Sequence, residues 1–101
     1  MPDMQQFITI LKPTRPGMLI EGPTSFEEQA VSEHFDYLEE RTKAGIVLLA
    51  GRTLTEDENT FGIVIFLAKD LENAKDLAAN DPAILKGIMR AEVLPFRISL
   101  P

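Results

Sequence analysis

The chain has 101 residues, 45% of them hydrophobic and 26% charged, which fits one globular domain covering residues 1–101 with a core that needs no staples. It contains no cysteine, and this excludes disulfides, thiolate metal sites and cysteine nucleophiles together. Sixteen acidic against ten basic residues give a formal charge of −6, and the scattered cations form no stripe that could displace counterions from phosphates, so nucleic acid is excluded as a partner.

No segment approaches the ~18 continuous apolar residues of a membrane span, and no basic region followed by an apolar run opens the chain. The expectation is a soluble, cytoplasmic protein.

In chain order, residues 5–11 are short, β-branched and aromatic, and Lys12-Pro13 stops them, so they predict a first strand. Residues 13–24 hold three prolines and two glycines, too many breakers for a regular element; a loop is expected, with Arg15 and Met18 exposed on it. Ser25 followed by Glu28 has the spacing of a capping box and predicts a helix N-terminus there. The helix closes at Lys43-Ala44-Gly45, where glycine can take the left-handed conformation and Arg41 and Lys43 complement the dipole. Along it Phe26, Ala30, Val31, Leu38 and Thr42 recur at spacings of three and four. His34, the only histidine, lies on that apolar stripe, so a titratable ring points at the core.

Residues 46–50 are apolar without alternation, the pattern of a strand covered on both faces. A polar segment, 53–60, of hairpin-loop length joins them to another doubly apolar strand at 61–67. Asp70 caps a second helix that runs to Asn80 with a narrow stripe of Leu71, Ala74, Leu77 and Ala78. Asp81-Pro82 starts a short helical turn, proline being suited to the first helical position, and Gly87 ends it. Residues 90–100 predict a last strand in which Pro95 demands a bulge or an edge.

The order strand, helix, strand, strand, helix, strand predicts an α+β, ferredoxin-like split βαβ fold with a four-stranded antiparallel sheet and both helices on one face. Two helices cover one face only, yet the middle strands are apolar on both. The simplest cover for the second face is another copy of the chain, a homodimer through the sheet.

Five segments, His-Phe-Asp-Tyr-Leu (34–38), Leu-Leu-Ala-Gly-Arg (48–52), Phe-Gly-Ile-Val-Ile-Phe (61–66), Asn-Asp-Pro-Ala-Ile-Leu-Lys-Gly (80–87) and Leu-Pro-Phe-Arg (94–97), together resemble the bacterial YCII-related, YciI-like family over nearly the whole chain. The resemblance implies a dimeric α/β barrel and a cleft holding a histidine–aspartate pair, here His34 and Asp81. One branch of that family is linked to cofactor-free dechlorination of a hydroxylated aromatic. The chain departs from many relatives by Ala-Gly-Arg in place of Ala-Gly-Pro, and it carries the Thr-Arg-Pro-Gly-Met extension (14–18) seen in part of the family.

Each candidate has a plainer reading beside the functional one. His34 is a proton-transfer group or a hydrogen-bonded core histidine. Asp81 caps the turn at Pro82, and its second oxygen is free to meet an imidazole N–H and set the ring's tautomer. Arg15 and Arg52 are solvated loop cations or anion ligands at the cleft mouth, and the prolines around Arg15 favour a held loop that brings it to the cleft. Tyr37 is a proton donor or, preferably, a packing residue. One histidine and no cysteine leave no basis for a zinc site of nitrogen and sulfur ligands, and neither a phosphate-binding glycine loop nor a Gly-x-Ser-x-Gly elbow is present, so no metal and no cofactor is expected. Two functions of different class remain. One is a cofactor-free lyase or isomerase acting on a small aromatic or carboxylated molecule through His34. The other is a non-catalytic small-ligand-binding or dimerisation domain.

Overall fold

A computed structural model describes residues 3–101. The chain folds as β1 (Gln5–Pro13), α1 (Gly17–Ile20), α2 (Ser25–Lys43), β2 (Val47–Arg52), β3 (Gly62–Ala68), α3 (Leu71–Ala79), α4 (Pro82–Leu85) and β4 (Met89–Pro95). The four strands form one antiparallel sheet in the order β2-β3-β1-β4. This is the expected α+β, ferredoxin-like arrangement, with the helices on one side.

Register explains where the core lies. Phe7 pairs with Phe66, Thr9 with Val64 and Leu11 with Gly62, and because side chains alternate these residues share the helix-facing side. Phe7, Leu11, Val47, Val64, Phe66, Ala68 and Ala74 make one buried cluster, with the rings of Phe7 and Phe66 tilted at 38° and 6.1 Å apart. A second cluster of Met18, Ala30, Ala83 and Ile88 ties α1, α2 and α4 together. The residues between them in register, Ile8 and Ile10 of β1 and Ile63 and Ile65 of β3, point to the opposite side with Leu49 and Leu94. No helix covers that side.

Several boundaries differ from the sequence reading. The capping box is built by Thr24 and Glu27, not Ser25 and Glu28: Glu27 N–H donates to Thr24 Oγ1 at 3.1 Å, and Thr24 N–H donates to Glu27 Oε1 at 2.9 Å. Both pairs have the spacing; Thr24 wins because it holds the extended backbone of a cap (φ −70°, ψ 167°) and because Glu27, not Glu28, is fixed by a tertiary partner. The fully buried stripe of α2 is therefore Glu27, Ala30 and His34, with Val31 and Leu38 half-buried against the core as expected, while Phe26 and Thr42 are exposed.

The breaker-rich loop contains a helical turn, α1, and Met18 within it is buried, not exposed. Strand β2 is not covered on both faces. It lies at a sheet edge, only Val47 is buried, and Leu48 and Leu49 are substantially exposed. Strand β4 ends at Pro95, short of residue 100; Phe96 N–H donates to Gln6 O and Ile98 N–H to the Gln6 side chain, so the tail leaves the ladder where proline interrupts it. Strand β4 is the other edge, one of the two placements expected for that proline. Gly45 and Gly87, at φ 80° and 72°, end α2 and α4 in the left-handed conformation that favours glycine.

The cap assignment has a direct test. Thr24→Ala should lower stability by about 1 kcal/mol, whereas Ser25→Ala, at the first helical position, should change it by no more than about 0.5 kcal/mol. Denaturant unfolding of the two variants compares them.

Candidate functional site

The site begins with a local fact about α4. Asp81 takes an extended backbone (φ −64°, ψ 128°) before Pro82, and its Oδ1 accepts the Ala83 N–H at 2.9 Å. The cap consumes one oxygen. The other, Oδ2, lies 2.6 Å from His34 Nδ1, so α2 and α4 are joined by a single carboxylate. Both oxygens of Asp81 act as acceptors, which assigns the Nδ1 proton to the ring and leaves Nε2 of the neutral imidazole as a lone-pair nitrogen.

Both side chains are nearly buried. Among the described residues Nε2 has no protein partner, yet no buried side-chain nitrogen or oxygen is left unsatisfied. Nε2 therefore opens onto space, and the space is a cleft of about 930 Å³ that His34 helps to line.

The cleft runs between α2 and the β2–β3 end of the sheet, with Met18 and Leu19 of α1 at one wall. It exists because the helix-facing floor is thin there: Gly62 pairs with both Leu11 and Arg52 and offers no side chain. A Cβ at Gly62 would come within 3.2 Å of the Gly51 carbonyl oxygen, a tight contact that β2 would have to relieve by a few tenths of an ångström, so glycine suits this strand approach as well as the floor. Arg52, facing the same side, lines the cleft, and so do Lys43 and Glu39, which pair with each other at 3.4 Å. Across the Asp81 carboxylate lies a separate, much smaller cavity of about 30 Å³, walled in part by Thr9, Tyr37, Arg41 and Asp81.

Arg15 is placed elsewhere. It does not line the cleft; its guanidinium grips Glu27 through Nε (2.9 Å to Oε2) and Nη2 (2.5 Å to Oε1), and reaches the Gly22 carbonyl at 3.2 Å. The loop is indeed held, but the anion that holds it is the chain's own. The hydrogen bonds from Arg15 and from the Thr24 backbone keep the Glu27 carboxyl down at about 2, burial opposing them, and Arg15 in turn lies above its ordinary value.

Tyr37 behaves as a packing residue. Its hydroxyl donates to the Leu77 carbonyl at 2.6 Å, and the Arg41 guanidinium sits 3.5 Å over its ring. Burial pushes its phenol up, Arg41 opposing and Asp81 adding to the rise. Among the described residues no three histidine, aspartate or glutamate side chains converge as a metal site, and no helix is long and apolar enough to cross a membrane.

Sequence reasoning passed over Glu27, Thr60, Phe35 and Phe61. Glu27 carried a signal: it extends the stripe through Ala30 and His34 at helical spacing. Phe35 and Phe61 both line the cleft, but only the fold brings them to one site.

The family model described as the YCII-related domain matches residues 7–97. Among solved structures, the 5-chloro-2-hydroxyhydroquinone dehydrochlorinase of Burkholderia phenoliruptrix AC1100, in complex with 2,5-dihydroxybenzoquinone, is similar at a TM-score of 0.65 and 21% identity, covering 90% of this chain and 93% of its own. An uncharacterised protein of Thermotoga maritima is similar at a TM-score of 0.58 and 16% identity, covering 93% and 99%. At these identities the likeness establishes the shared fold alone. No curated protein matches the chain in sequence.

The Arg15–Glu27 contact makes stability depend on acid in a defined window. Glu27 has a folded value below the ordinary 4.5, so its contribution is complete above about pH 4.5 and is lost as pH falls toward 2. Glu27→Gln should flatten that limb of the stability–pH curve; identical acid limbs in parent and variant would show that the contact contributes nothing.

Proposed function

Since the chain belongs to the YCII-related family, we propose that it is a cofactor-free acid–base catalyst in which His34 Nε2 takes up and returns a proton of a small aromatic or carboxylated molecule bound in the cleft. The observation that carries this reading is the division of the imidazole: Nδ1 is held by Asp81 at 2.6 Å, while Nε2 has no protein partner among the described residues and the ring lines the cleft. A carboxylate at Nδ1 orients the ring, holds the tautomer with a basic Nε2 and stabilises the imidazolium that forms on proton uptake. Burial of the pair gives it the fixed geometry that proton transfer needs.

The chemistry balances without a co-reactant. In an isomerisation the proton that Nε2 removes from one substrate atom is returned to another. In an elimination the proton stays on His34 while the leaving group departs with the bonding pair, and solvent then resets the ring. The dehydrochlorinase of like fold is named for an elimination from a hydroxylated aromatic, which is in keeping with this reaction class. Arg52 is the cleft cation available to an anionic group, while Arg15 and Tyr37 serve the scaffold.

Incubating the protein in D2O with a panel of hydroxylated aromatics and carboxylic acids tests the reading, deuterium incorporation being followed by NMR. Exchange should fall roughly 10²- to 10⁴-fold in His34→Gln. Asp81→Asn should also lose exchange, because asparagine can keep the cap but cannot stabilise an imidazolium. Undiminished exchange in His34→Gln, or none in the parent across the panel, would favour the non-catalytic ligand-binding domain.

The uncovered sheet face belongs to the same reading. Its residues Ile8, Ile10, Ile63, Ile65, Leu49 and Leu94 adjoin one another by register, with Leu49 and Leu94 substantially exposed, and adjoining apolar residues of this kind mark interaction surfaces. We propose a second copy of the chain as its cover, burying at least ~1,200 Å² in total. Leu49→Asp, a charge on that face at a residue 51% exposed in the single chain, should convert a dimer to monomer or aggregate in sedimentation analysis; an 11.3 kDa species for the parent at micromolar concentration would exclude the dimer.

A further inference from the structure

The cleft holds two aromatic rings that the hydrophobic clusters do not use. Phe35 follows His34 on α2 and is 68% exposed; Phe61 precedes β3 and is 38% exposed, and both line the cleft. A single exposed apolar side chain needs no explanation. Two phenyl rings on the same cleft as a half-used imidazole do, and the backbone under one of them is unusually constrained.

Phe61 is bonded on both sides by Thr53: its N–H donates to Thr53 Oγ1 at 3.2 Å, and its carbonyl accepts the Thr53 N–H at 2.9 Å. The residue before it, Thr60, is buried, and its hydroxyl donates to the Thr55 carbonyl. Phe35 sits within a 19-residue helix. Both rings thus come from backbone that is already ordered, so a ligand that packs on them has only side-chain torsions left to fix.

Charge narrows the ligand further. Of the lysine and arginine side chains on the cleft, Lys43 is paired with Glu39, whereas Arg52 makes no ion pair among the described residues. Arg52 also pairs with Gly62 in register, its Cβ 3.8 Å from where a Cβ at that glycine would lie. Its guanidinium can meet a carboxylate through two parallel hydrogen bonds, while phenyl rings favour a planar π partner in offset or edge-on contact.

We propose that Phe35, Phe61 and Arg52 make the cleft selective for a flat aromatic ring bearing a carboxylate. This rests on the reading of the cleft as the small-molecule site of His34 and specifies its substrate class.

Isothermal titration with 2-hydroxybenzoate, cyclohexanecarboxylate and benzyl alcohol separates the parts. The first two share a charge and differ in planarity; the third keeps the ring and loses the charge. Parent protein should bind 2-hydroxybenzoate about tenfold more tightly than either of the others, the gap expected of one to two aromatic contacts or a charge-assisted hydrogen bond. Phe35→Leu and Phe61→Leu should each weaken 2-hydroxybenzoate about threefold or more and leave cyclohexanecarboxylate unchanged. Arg52→Gln should weaken both acids and spare benzyl alcohol. Equal affinity for the two acids, no binding of 2-hydroxybenzoate at millimolar concentration, or leucine variants that bind like the parent would overturn the proposal. A change in sedimentation mass of Phe35→Leu without a change in binding would assign that ring to association and overturn its role here.

His34→Gln keeps the failures apart. If the selectivity persists in that variant while deuterium exchange is absent even in the parent, the proton-transfer reading fails alone; if exchange depends on His34 but the selectivity is missing, only the present proposal fails.

Discussion

One carboxylate carries much of the local organisation. Asp81 satisfies the first turn of α4 with one oxygen and meets His34 with the other, so the start of a four-residue helix and the middle of a 19-residue one are held in a fixed relation. Taking a carboxylate out of water is costly unless its oxygens are satisfied, and here both are. The same contact orients the imidazole, which means that scaffold and chemistry cannot be changed independently at this position. A substitution that removes the acceptor would leave a buried Ala83 N–H and a buried imidazole N–H without partners at once.

The cleft beside this pair results from an asymmetry of the sheet. On the helix side, large residues fill the Phe7–Phe66 end, and the floor thins to Gly62 at the other. Edge strand β2 turns its exposed flank to solvent there, so the gap remains accessible from outside. The α1 turn closes one wall. It is held by Met18 in the second cluster, by Thr14 N–H and Oγ1 on the Ile88 and Gly87 carbonyls, and by Arg15 on Glu27.

That last contact shows how one residue type can serve two readings. A proline-bracketed arginine beside a cleft is a reasonable anion ligand, and the geometry it would use on a substrate carboxylate is the one it uses on Glu27. What distinguishes the two is whether the chain supplies its own carboxylate at the right place. Glu27 does so because the capping box has already fixed its side chain toward the helix N-terminus, where Arg15 arrives. The pair leaves Arg52 as a cleft cation without an ion-pair partner among the described residues.

Local pattern by itself determined a good deal: the order of strands and helices, the glycine stops at Gly45 and Gly87, the Asp70 and Asp81 caps, and the inward direction of His34, because these follow from periodicity and from backbone chemistry within a few residues. The segment resemblance named the pairing of His34 with Asp81, forty-seven positions apart. Only the tertiary structure decided which of two equivalent capping boxes forms, that Met18 is buried, that Arg15 is spent on Glu27, and that Phe35, Phe61 and Arg52 share a cleft. It also placed β2 at an edge, where a run of apolar residues that reads as a covered strand is half exposed. The reason is the same in each case. Hydrogen-bond satisfaction within a turn is a property of neighbouring residues, whereas exposure, ion pairing and the shape of a cavity depend on which distant segments arrive beside them.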